Sequence, residues 1–226
     1  MSAPFAPWDV RGEAIVGFAR WRDRPALPSP LRPLPGPCLV AATRVVESPV
    51  GPYLELSVAQ PARLCGRPGW CLTLSVVDRL DARTGGRLNW GFPKELGALR
   101  WSARGDEREL TWDDRDLVVR GRPWGPAVPV VTPLRALQHR GDGPVVVPGR
   151  FGGRFHLARV TVHAYPGDAL AGLAGRHLGG VVTGVQLVMR EARTPIGITA
   201  TLRAPRRGAE PALLSDVPTG AYSSAG

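Results

Sequence analysis

Lys94 is the only lysine in this chain, against 28 arginines, and it sits in GGRLNWGFPKELGALRW over residues 85–101. Either side chain supplies a positive charge on a solvated surface. Only lysine can give up its proton and present a nucleophilic amine. A sequence that uses arginine everywhere else therefore singles out Lys94 for amine chemistry. Its neighbours suit that role. Trp90 and Phe92 can wall a pocket from water, and Pro93 fixes the backbone just before the amine. Burial without an adjacent anion disfavours the ammonium, which is how a lysine becomes nucleophilic near neutral pH. Upstream, VGPYLEL places Glu55 on a strand directly after a glycine-proline turn. Alternation then puts Tyr53, Glu55 and Ser57 on one face and Leu54 and Leu56 on the other. If the leucines face a core layer, Tyr53 and Glu55 line either solvent or a polar cavity.

The elements that would hold these residues are mostly strands. Alternating or β-branched runs predict strands at 10–21, 38–47, 53–60, 70–80, 155–165 and 184–192, with antiparallel hairpins through 99–122. DARTGG reads as the turn that ends the strand at 70–80, and the proline-rich stretch 24–37 as an extended connection. PLRALQH suggests a helical turn. The best helix is predicted at 167–178, with Asp168 near its start and Gly179 after its end. With 28 glycines and 24 prolines the composition favours turns and short strands. The expected architecture is one large antiparallel sheet, folded over or closed into a barrel, as a single domain over 8–205. Residues 1–7 read as a flexible arm and 206–226 as a disordered tail.

Other chemistries find little support. The formal charge of +10 raises nucleic-acid binding, yet the arginines are spread along the chain and no recognition motif is present. No nucleic-acid partner is expected. The four histidines lack metal spacing, and His156 and His163 fall on opposite faces of one strand, so neither a metal nor a cofactor is expected. There is no nucleophile elbow and no phosphate loop. No apolar run is long enough to span a bilayer, and the N-terminal residues lack the pattern of a secretory signal. Three cysteines, an odd number, read as reduced thiols of a cytoplasmic protein.

GPYLE followed by GGRLNWGFPKELG resembles the acetoacetate decarboxylase family. The corresponding positions are Gly51, Tyr53 and Glu55, then Gly86, Arg87, Phe92, Pro93, Lys94, Leu96 and Gly97. The resemblance covers roughly residues 38–101. It implies a mainly β fold, a closed cone-like antiparallel barrel with one or two short helices, assembled as a homo-oligomer. It also implies a lysine that condenses with a ketone to form a Schiff base, the electron sink for loss of carbon dioxide. Activation of such a lysine beside a second cation is established chemistry for the family's namesake. In that picture Lys94 and Glu55 are catalytic, while Tyr53, Arg11, Arg87, Trp90 and Phe92 contact the substrate, a keto acid or related carbonyl. Relatives run decarboxylation, aldol or dehydration steps through the same imine. A barrel that binds a small carbonyl or carboxylate without turnover is the alternative. One departure is that Glu95 stands where the pattern has a second lysine, so its direction relative to Lys94 matters.

Overall fold

The computed structural model describes residues 4–141 and 143–195, so the tail expected at 206–226 lies outside the described residues. Eleven strands form one sheet: β1 Trp8–Ala19, β2 Arg32–Pro33, β3 Cys38–Glu47, β4 Tyr53–Leu64, β5 Arg67–Val77, β6 Lys94–Leu96, β7 Leu99–Arg104, β8 Glu107–Trp112, β9 Leu117–Arg140, β10 Gly143–His163 and β11 Gly175–Met189. Their order is β6-β5-β4-β3-β1-β11-β10-β9-β8-β7, with β2 beside β4. A contact between Trp70 and Ala136 joins β5 to β9, so the run from β5 round to β9 closes on itself. The mainly β architecture expected from the alternating runs is therefore present, and of the two forms they left open, folded over or closed, the β5–β9 contact favours the closed one.

The sheet is not wholly antiparallel. The β5–β9 contact is parallel, and so is the pairing of β6 with β5. Parallel neighbours need a crossover, and a helix α1, Leu80–Trp90, supplies it. This helix occupies the stretch where DARTGG reads as a turn. Its interior glycines, Gly85 and Gly86, mislead a local reading because each costs a helix about 1 kcal/mol relative to alanine. Both are buried, and at Gly86 the Lys94 stem passes too close for a larger residue. Gly91 ends the helix in the left-handed region at φ 69°, its N–H meeting the Arg87 carbonyl, and Pro93 follows.

The helix expected at 167–178 is absent. A short 3-10 turn at Ala171–Leu173 leads directly into β11. Asp168 accepts a hydrogen bond from the Leu170 N–H at 2.7 Å, which closes a local turn and starts no helix. Three glycines in that segment weaken a helix further, and residues from Gly175 onward gain a full ladder against β1 and β10. PLRALQH is likewise strand, part of the 24-residue β9. Residues 4–7, expected as a flexible arm, are tied down: the Ala6 N–H donates to Asn89 Oδ1 at 3.1 Å, and Asn89 Nδ2 donates to the Pro4 carbonyl at 3.0 Å.

Two apolar clusters lie on opposite faces of the central strands. Leu56, Val58 and Val76 belong to one, with Ile15, Leu110, Val160 and Val181. Tyr53 and Val77 belong to the other, with Trp8, Trp90, Phe92 and Val147. Alternation assigns Glu55, Ser57 and Ser75 to the Tyr53 face, the side on which α1 also packs through Ala82 and Trp90.

Candidate active site

The register places three polar residues in one row across adjacent strands. Ser57 of β4 lies opposite Ser75 of β5, and Ser75 lies opposite Lys94 of β6. Glu55, two residues back on β4, shares their face. Lys94 is 3% exposed, and its Nζ lies 2.6 Å from Glu55 Oε2. Glu55 Oε1 accepts hydrogen bonds from Ser57 Oγ and Ser75 Oγ, each at 2.8 Å. The amine also lies 5.4 Å from the centre of the Tyr53 ring. Lys94 thus converges with Glu55 and Tyr53 from a distant part of the sequence, as their strand faces predict.

The amine is not buried away from anions. Its partner carboxylate makes the resting state an ammonium–carboxylate pair, and attack on a carbonyl requires that proton to leave. Burial alone would push the Glu55 carboxyl up. The charge of Lys94 and the hydrogen bonds from Lys94, Ser57 and Ser75 together outweigh it and hold the group below the ordinary carboxylate range. Burial, then the adjacent Glu55 carboxylate and Asp78, push the Tyr53 phenol well above its usual value. The site therefore presents a fixed anion, an amine and a neutral phenol on one apolar-walled face.

The aromatic residues form that wall. Trp8 meets Trp90 edge-on at 5.1 Å, Trp90 lies 5.4 Å from Phe92, and Trp90 Nε1 donates to the Arg190 carbonyl at 2.8 Å. Trp90 and Phe92 are both buried. Arg87 does not reach the Lys94–Glu55 pair. Its exposed side chain donates through Nε to the Lys94 carbonyl at 2.6 Å, so it fixes the backbone that carries the amine. Arg11 is elsewhere. It alternates with the buried Val10 of β1 and pairs at 3.5 Å with Glu47, both side chains more than half exposed. The position suggested by the N-terminal resemblance is therefore directed to Glu47 and solvent rather than to the Lys94–Glu55 pair. Glu95 is exposed and follows the buried Lys94 on a strand, so it points away from the amine. The acid that stands in place of the second lysine therefore does not face the amine.

Sequence reasoning passed over Ser75, and it matched Gly86 to the family motif without giving it a role. Ser75 is signalled only by a hydroxyl in the apolar run LTLSVV, and it is fully buried. At Gly86 a Cβ would come within 2.5 Å of Lys94 Cδ and 2.6 Å of Cε. The lysine stem crosses α1 over this glycine. Gly86→Ala should accordingly stay folded but not gain stability, because up to about 1 kcal/mol of helix propensity only partly offsets an overpacking cost of about 1–3 kcal/mol against the buried Lys94 stem. It should nevertheless cut trapping of a carbonyl on Lys94 by roughly tenfold or more, because the stem must shift away from its productive geometry. Thermal melts alongside borohydride trapping check both halves, and an unaltered adduct yield would show that the glycine does not position the amine.

Known proteins agree with the motif pair. Residues 22–119 match the family described as acetoacetate decarboxylase (ADC), a span that includes Tyr53, Glu55 and Lys94. No curated protein matches the chain. Among solved structures, an acetoacetate decarboxylase from Legionella pneumophila subsp. pneumophila str. Philadelphia 1 superposes with a TM-score of 0.62 at 18% identity, covering 85% of this chain and 88% of that one. The enduracididine biosynthesis enzyme MppR complexed with pyruvate gives 0.63 at 16%, covering 84% and 90%. An acetoacetate decarboxylase-like enzyme from Sphingomonas wittichii RW1 gives 0.61 at 17%, covering 82% and 90%. At these identities the structures establish a shared fold.

Proposed function

From the acetoacetate decarboxylase-like superfamily, to which both the matched segment and the fold point, we propose that this protein is a Schiff-base-forming lyase acting on a keto acid through Lys94. One observation carries the proposal: the chain's sole lysine, which the motif resemblance matches to the family's lysine, is buried with its amine 2.6 Å from Glu55. Glu55 takes the proton that the ammonium must lose. The neutral amine adds to the substrate carbonyl carbon, water departs, and a protonated imine remains beside the carboxylate. That imine accepts the electron pair when a bond to the neighbouring carbon breaks. The group released is carbon dioxide, an aldehyde fragment or a proton, according to the substrate. The apolar wall of Trp90 and Phe92 excludes water while the imine exists. Tyr53, held neutral, is a hydroxyl donor for the substrate.

The pyruvate held by MppR supports a keto acid as the substrate class. The test is a panel of keto acids with sodium borohydride, read by intact mass and peptide mapping, with product release followed in parallel. A reduced adduct on the Lys94 peptide together with product establishes the lyase. Saturable binding with neither adduct nor product favours the other reading, a barrel that holds a carbonyl or carboxylate ligand without turnover.

A further inference from the structure

The two serine hydroxyls at the site converge on one oxygen. Ser57 Oγ and Ser75 Oγ both reach Glu55 Oε1 at 2.8 Å and lie 3.4 Å from each other, while Oε2 alone faces the amine. Ser75 is fully buried in β5, where a hydroxyl without an acceptor would be destabilising. Ser57 lies directly across from it in register. We propose that Ser57 and Ser75 are positioning residues, a hydroxyl clamp that fixes one carboxylate oxygen of Glu55 so that the other stays aimed at Lys94.

This inference rests on the imine reading of the site and adds to it. An ammonium carries three donors, whereas the protonated imine retains a single N–H. Glu55 therefore loses much of its hold on Lys94 at the moment when its orientation matters most. The serine hydroxyls are unaffected by that change, so the clamp keeps the carboxylate in place through the covalent stage. Both hydroxyls also stabilise the ionised form of Glu55. The charged and titratable groups facing that carboxylate are Lys94 from β6 and Tyr53 from β4 itself, with Asp78 acting on Tyr53.

Threonine and valine have nearly the same shape and differ by the hydroxyl, so Ser57→Thr and Ser57→Val separate the clamp from simple space filling. Ser57 is half-buried, which leaves room for the added methyl. The measurement is the titration of the Glu55 side-chain carboxyl by carbon NMR, assigned by its loss in Glu55→Gln. Ser57→Val and Ser75→Ala should each raise the midpoint by about one pH unit, because a hydrogen bond to the ionised form is lost. Ser57→Thr should titrate as the wild type. In the trapping assay the acid limb of adduct formation should move upward by the same amount in the hydroxyl-free variants alone. A Ser57→Val protein whose Glu55 titrates as in the wild type would overturn the clamp. If the wild type traps no carbonyl, the lyase reading falls, and the carboxyl titration still decides the clamp by itself.

Discussion

A Lys94→Arg protein is expected to lose imine formation completely, passing from one borohydride-trapped adduct per chain to none. Guanidinium keeps the charge but cannot shed its proton to attack a carbonyl. Because the lysine stem is buried and crosses Gly86 closely, arginine also has to find extra room. Lys94→Met serves as the companion variant, since it keeps an unbranched apolar stem, one atom shorter, without an amine. Circular dichroism and a cooperative melt establish that each variant folds. Both should be devoid of adduct and of turnover. A folded Lys94→Arg protein that processed substrate at the wild-type rate would remove Lys94 from the chemistry and return its uniqueness to compositional accident.

The second large effect concerns stability. Glu55→Gln removes the anion and leaves the Lys94 charge with almost no access to water. Breaking a buried pair from one side costs about 3–5 kcal/mol. The Glu55 side chain retains 15% exposure, so the lower end, about 3 kcal/mol, is expected near neutral pH. The Lys94→Met, Glu55→Gln double variant should recover most of this loss, because no charge is then stranded. The pH dependence has a definite sign. Glu55 is held below the ordinary value of 4.5, so its stabilisation is fully present above that value. It disappears as pH falls through the lower folded-state value. Urea midpoints for the wild type and Glu55→Gln should therefore differ at about pH 7 and converge as the pH drops below about 4.5. A gap that widened on acidification would contradict the ionised clamp around this carboxylate.

The parts of this site that were legible in the sequence are those fixed by local rules. Strand alternation alone put Tyr53, Glu55 and Ser57 on one face, and composition alone singled out Lys94. The remainder depended on which strands become neighbours. Nothing local pairs Ser75 with Ser57 and Lys94, since that row exists only once β4, β5 and β6 align. The α1 helix was hidden for a related reason. Gly85 and Gly86 weaken its propensity locally, and the advantage of Gly86 emerges only when the Lys94 stem lies against it. The converse holds at 167–178, where leucines and alanines favour a helix but pairing with β1 and β10 wins. Arg11 shows the limit of a short motif: its position on β1 fixes its face, and that face carries Glu47 rather than the Lys94–Glu55 pair. The prolines of β9 are explained the same way. Between its β8 ladder, ending at Gly121, and its contact at Ala136, β9 pairs only with β10 among the described residues. Prolines at 123, 126, 129 and 133 are tolerable on such an open edge, and they discourage another strand from adding there.

The burial of the chain's only lysine leaves it poorly accessible to amine-directed reagents larger than the carbonyl its site would take. Apart from the N-terminal amine, an acylating label has a single target, and that target is shielded while the fold is closed. Its labelling rate becomes a clock for the excursions that expose the pocket. At low reagent concentration the rate reports how often the open form is populated. At saturating reagent it reaches a plateau equal to the opening rate itself. A carbonyl ligand seated on Lys94 would slow that clock, so the occupancy of the pocket becomes measurable without knowing what the ligand turns into.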